Sequence, residues 1–119
     1  MRINGTDIFI TRGDSESFRV VLYDQETDEK RPFIDGDKIY FTVKTSTQTV
    51  NKIFQIIAQD FQNDFEDGEA IIHIIPSETK GLKYHEYVYD VQLVRQGGEV
   101  TTIITPSKFV VEEEVTYEP

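Results

Sequence analysis

Apolar and polar positions alternate in several stretches of this chain, and alternation with a period of two is the signature of a strand with one buried face. Ser17 to Tyr23 places Phe18, Val20 and Leu22 on one side. Lys38 to Lys44 places Ile39, Phe41 and Val43 together, with lysines opposite. Tyr89, Val91 and Leu93 form a third set, against Asp90 and Gln92. Val100, Thr102 and Ile104 form a fourth, and Phe109 with Val111 a fifth. Three further runs, Asp7–Thr11, Ile53–Ala58 and Ala70–Ile75, are apolar on both faces and rich in isoleucine. β-Branching favours strand over helix there as well.

The punctuation between these runs agrees with strands. Gly97-Gly98 lies between two alternating segments and reads as a two-residue hairpin loop. Asp67-Gly68 ahead of Glu69 reads the same way, and Asp35-Gly36-Asp37 opens the Ile39 strand. Pro106 is expected to split Thr101–Val111 into two short strands or to mark an edge strand. A short helical turn is predicted near residues 76–82, with Pro76 first and Gly81 near its end, bridging one sheet to the other before Tyr87.

Seven to eight strands with no helix between them predict an all-β domain, a sandwich or a barrel. An immunoglobulin-like β-sandwich is the preferred form, because Tyr87 to Val91 after a cross-over turn resembles a tyrosine corner. Residues 1–119 are read as a single domain, with 1–6 and 112–119 as candidate flexible tails.

Composition narrows the function. With 12 basic and 22 acidic residues the net charge is −10, which repels phosphate backbones and anionic membranes. Nucleic acid and membrane are therefore not expected partners. Cysteine is absent, so disulfides, thiolate metal clusters and a cysteine nucleophile are excluded. Residues 1–13 lack the apolar core and cleavage site of a signal peptide, and no apolar run is long enough to span a bilayer.

The search for chemistry yields no catalytic, cofactor-binding or metal-ligating residue, and the chain is read as a non-enzyme without a cofactor. His73 sits between isoleucines in a strand, and His85 is placed in a turn beside Glu86. Neither has a nucleophile at a telling spacing, and no Gly-x-Ser-x-Gly elbow occurs. Asp60, Asp64, Glu66, Asp67 and Glu69 offer hard oxygens that could take calcium, yet they lack the EF-hand order and read first as a solvated loop. Arg12-Gly13-Asp14 spells an integrin-binding tripeptide but falls where a tight turn between strands is needed. Tyr40 and Tyr87 are aromatics that could stack on a ligand, with cross-strand packing as the ordinary explanation.

Taken in order, several segments carry a resemblance. They are Thr11–Asp14 leading into Phe18–Tyr23, Phe41–Lys44, Gly68–Ile72, Pro76–Leu82, Tyr87–Leu93 and Gly98–Ile103. This order, from about Ile8 to Val111, resembles the N-terminal domain of upper baseplate proteins from phages and prophages of Gram-positive bacteria. The resemblance implies an immunoglobulin-like sandwich that docks onto other phage tail or baseplate proteins, made in the bacterial host cytoplasm and located in the virion. It brings no catalytic residues. In that family a helical stalk and receptor-binding platform commonly follow. This chain departs from that pattern by ending right after the domain, so host recognition and stalk-driven trimers are left open, as is homo-oligomerisation. The alternative function is a carbohydrate- or cell-surface-binding module on the same fold. The Thr101–Val111 region is the candidate docking edge.

Overall fold

The computed structural model describes residues 1–23, 26–30, 32–58, 68–83 and 85–115. Its elements in chain order are β1 (Arg2–Asn4), β2 (Asp7–Thr11), β3 (Glu16–Val21), β4 (Lys38–Lys44), β5 (Phe54–Ala58), β6 (Glu69–Ile74), α1 (Pro76–Thr79), β7 (His85–Val94) and β8 (Val100–Glu112). The chain is an all-β sandwich, as the alternation predicts. One sheet has six strands in the order β1-β2-β8-β7-β4-β5, and the other pairs β3 with β6. All pairings are antiparallel except that of β2 with β8, which run parallel from Ile8–Phe109 to Thr11–Glu112.

The core lies between the sheets. Ile39, Phe41 and Val43 of β4 and Tyr89, Val91 and Leu93 of β7 turn inward from the large sheet. Phe18, Val20, Ile72 and Ile74 meet them from the small one. Phe41 is the hub: its ring centroid lies 5.3 Å from Phe18, 5.2 Å from Tyr89, and 5.9 Å from both Phe54 and Phe109. Edge-on and tilted contacts of this kind add to the area that the rings remove from water. α1 is a single turn, closed by Lys80 N–H donating to the Pro76 carbonyl at 2.9 Å, and it carries the chain from β6 to β7.

Two polar clamps close the ends of the sandwich. At one, the Arg12 guanidinium donates to the Glu114 carboxylate at 2.7 Å and to the Leu82 carbonyl at 2.8 Å, while Gly13 N–H donates to the fully buried Thr79 hydroxyl at 2.9 Å. The hydrogen bond from Arg12 holds the Glu114 carboxyl below the usual carboxylate range. The segments read as candidate tails are thus engaged as far as Glu114: residues 2–4 form β1, and 116–119 lie outside the described residues. At the other end Asp37, 1% exposed, accepts from Ile34 N–H at 2.9 Å and from Arg95 at 3.0 Å. Gly36 takes a φ of +89°, and a Cβ there would meet Gln96 at 2.7 Å, so both backbone and space require glycine.

Several expectations are corrected or narrowed. Of the two alternatives at Pro106, the edge strand holds and the split does not: β8 is continuous over 13 residues, β2 pairs with it only from Phe109 on, and register shifts against Tyr89–Gln92 absorb the extra residues as bulges. Val100, Thr102 and Ile104 alternate, yet none is buried: Val100 and Thr102 are exposed, and Ile104 packs only partly against the core. The Gly97-Gly98 loop is longer than two residues; Gly98 N–H donates to the Arg95 carbonyl at 2.9 Å and Gly98 takes a φ of +94°, which resembles a three-residue loop with a glycine bulge. At Asp67-Gly68, Asp67 lies outside the described residues, and the strands on either side, β5 and β6, belong to different sheets. The Tyr87–Val91 run does not form a tyrosine corner: the Tyr89 hydroxyl reaches main chain, but at the Thr6 carbonyl 83 residues upstream and not a few residues away.

Candidate functional site

The outward face of the large sheet follows directly from the pleat. Since Phe41, Val43, Tyr89 and Val91 face the core, their neighbours Thr42, Lys44, Val88 and Asp90 must face away. Register places Thr42 opposite Asp90 on one flank and opposite Gln55 on the other, with Lys44 opposite Val88. The β4–β5 loop then folds over this row, closed by Ile53 N–H donating to the Val43 carbonyl at 2.8 Å. The loop brings Thr47, Val50 and Lys52 to the rim, and the β8 bulge brings Pro106 to the other side. The result is an open groove of about 320 Å³.

A short relay orders its floor. Lys52 Nζ donates to Gln55 Oε1 at 3.2 Å, and Gln55 Nε2 donates to Thr42 Oγ1 at 2.8 Å. Both ends of the Gln55 amide are thereby fixed, and the Thr42 hydroxyl keeps its own hydrogen for another acceptor. Beside it, burial pushes the Asp90 carboxyl above the usual carboxylate range, and the Lys44 ammonium pulls it partly back. The groove can therefore offer two ammonium groups, one carboxylate, a hydroxyl donor and amides, all mounted on strands or their short connection.

A second feature lies beside it. On one side β8 pairs with β7 throughout, but β2 covers its other side only from Phe109 to Glu112. Thr6 Oγ1 meets Ser107 Oγ at 2.7 Å, and the Asp7 carboxylate accepts Lys108 N–H at 2.9 Å, so β2 is finished there. From Val100 to Thr105 the outer edge has no partner strand among the described residues. Within Thr101–Val111, the region expected to dock, the unpaired edge is the first part only, because β2 pairs with β8 from Phe109 on.

The residues singled out in the sequence do not converge on either feature, with the exception of the edge. His73 points away from Ile72 and Ile74, and its Nδ1 shares a 2.9 Å hydrogen bond with Ser17 Oγ. His85 is the first residue of β7 and not part of a turn, and its ring stacks edge-on against Tyr87 at 5.0 Å. Tyr40 is half-buried on the outward face, opposite Ile57 and Gln92. Arg12-Gly13-Asp14 is the β2–β3 turn, with Gly13 at a φ of +85° and Arg12 held in its clamp. Of the acidic stretch Asp60–Glu69, residues 60–67 lie outside the described residues; Glu69 pairs with Arg19 at 3.3 Å and Lys30 at 3.5 Å. Among the described residues no group of three or more histidine, cysteine or acidic side chains is placed to hold a metal ion. Sequence reasoning missed the groove, although the polar members of the alternating β4 and β7 runs were its signal. Neither a family model nor a curated protein matches the sequence.

Proposed function

We propose that this domain is a structural component of a phage or prophage virion, a baseplate or tail-fibre module that works by docking to neighbouring tail proteins. The observation that carries the reading is the open β8 edge. Its main-chain groups between Val100 and Thr105 face outward beside a neutral, β-prone sequence, and such an edge can accept a strand from a partner. Further support comes from the order of segments that resembles the upper baseplate family: Phe41–Lys44 falls in β4, Tyr87–Leu93 in β7, and Gly98–Ile103 spans the hairpin into β8. The immunoglobulin-like form belongs to this reading too, and the parallel placement of β2 beside β8, opposite the β3–β6 pair, supports it.

Light scattering of the purified protein, alone and mixed with the structural proteins encoded beside its gene, tests the proposal. A stable complex with one of them is expected, and the double substitution Thr101→Lys/Thr102→Lys, at two exposed positions, should weaken it by blunting the edge. A protein that ignores every neighbour, from particles assembled without it, would overturn the reading. A second reading, a carbohydrate- or cell-surface-binding module, is favoured by one observation alone, the polar groove on the outward sheet face.

A further inference from the structure

We infer that the groove on the outward face of the large sheet binds an anionic, polyhydroxylated ligand: a sugar unit bearing a carboxylate or a phosphate. The charge balance selects the anion. Although the chain carries a net −10, this groove holds Lys44 and Lys52 against the single carboxylate of Asp90. Lys52 spends one donor on Gln55 Oε1 and retains others, and Lys44 has no carboxylate within salt-bridge distance among the described residues. A further cation beside this face, Lys108, opposite Val88, is already paired with Glu86 at 3.4 Å. An acid group on a ligand would thus find two ammonium groups whose charge nothing in the groove fully answers.

The rest of the lining selects hydroxyls. Asp90 is a partly buried carboxylate with no hydrogen-bond donor among the described residues, and vicinal hydroxyls are donors suited to a carboxylate's two oxygens. Thr42, having accepted from Gln55, still has a hydrogen to give, and Gln92 adds an amide beside it. Val50, Val88 and Pro106 supply small apolar patches for the C–H face of a ring. A volume near 320 Å³ falls at the small end of ligand sites, in keeping with one or two rings. Pinning of Gln55 at both ends, and placement of Thr42 and Asp90 on adjacent strands, leave little of the site to be ordered on binding. Ligand binding here stands or falls apart from tail docking, since the groove opens on the sheet face and docking uses the β8 edge.

Amide chemical-shift titration of the intact protein at low salt, with glucuronate, glucose 6-phosphate, glucose and inorganic phosphate as probes, decides the matter. Glucuronate or glucose 6-phosphate at millimolar concentration is expected to shift the amides of Thr42, Lys44, Gln55 and Asp90. Glucose and phosphate alone should bind roughly tenfold more weakly or worse, since each makes only half of the contacts. The stronger of the two acidic sugars identifies the acid group. Lys44→Gln and Lys52→Gln should each lower affinity about tenfold without moving the melting temperature. Asp90→Asn should narrow the gap between glucose 6-phosphate and phosphate. Absence of shifts at these amides, or equal binding of phosphate and glucose 6-phosphate by the native protein, would overturn the inference. So would lysine variants that bind as well as the native chain.

Discussion

The two halves of β8 share one strand and one partner, β7, but little else. From Phe109 to Val111 the strand is flanked on both sides, and Phe109 and Val111 are fully buried. From Val100 to Thr105 it is paired on one side only, and Val100 is 54% exposed. Both halves are β-prone, so propensity does not separate them; what differs is whether a second sheet and a second neighbour are present. Strand formation here is a matter of pairing, while stability is a matter of cover.

The comparison can be broken most severely at the covered half. Phe109→Ala should cost about 3–5 kcal/mol, because it empties a site bounded by Phe41 and Phe54. Denaturant unfolding would measure it, and a loss below about 1 kcal/mol would mean that the core collapses around the gap. At the loop that leads into the open half, Asp37→Ala should cost about 1–3 kcal/mol, since the Ile34 N–H loses its acceptor while Arg95 can turn to water. A stable Asp37→Ala protein with unchanged midpoint would show that this clamp is ornamental.

Where the halves join, Tyr89 lies opposite Ser107 and gives its hydroxyl to Thr6. Tyr89→Phe should cost about 0.5–1.5 kcal/mol. The same hydroxyl supplies a pH test. Burial, assisted by the Asp7 carboxylate, pushes its pKa up to about 12 from the ordinary 10.0. Because the folded value is raised, its contribution to stability is complete below pH 10.0 and fades as pH climbs through about 12. Ultraviolet titration should therefore show a late ionisation step that Tyr89→Phe removes. The smallest effect belongs to the open half: Thr102→Lys should change stability by no more than about 0.5 kcal/mol, whatever it does to docking. A large loss there in thermal melts would reveal a cover that the described residues do not contain.

Much of this fold is legible in the residues, and the reason is cover. β4 and β7 have one face against a sheet and one toward water, so Ile39-Phe41-Val43 and Tyr89-Val91-Leu93 write the pleat into the chain. In the open half of β8 only Ile104 of the alternating set packs partly against the core, which is why Val100-Thr102-Ile104 misleads. Pro106 is legible in part: it marks an edge but does not split the strand, because a bulge lets a strand carry a residue without an N–H, and bulges depend on the partner's register. β1 passes unnoticed because its residues are all exposed, although Gly5 at a φ of +63° closes a tight turn into β2. The β2–β8 pairing joins residues a hundred positions apart and leaves no local mark. The groove is hidden similarly, because Thr42, Gln55 and Asp90 become neighbours only through register.

That parallel pairing has a mechanical consequence. Tension applied at the two ends of the chain would first peel β1 from β2, one pair at a time, because those strands are antiparallel and the pull opens them like a zip. β2 would then be drawn by its beginning and β8 by its end. In a parallel pair those points lie at opposite ends, so the pull runs along the strands and all the register pairs from Ile8–Phe109 to Thr11–Glu112 share the load at once. The domain should yield readily at its first few residues and then resist as a unit, a fuse in series with a clasp.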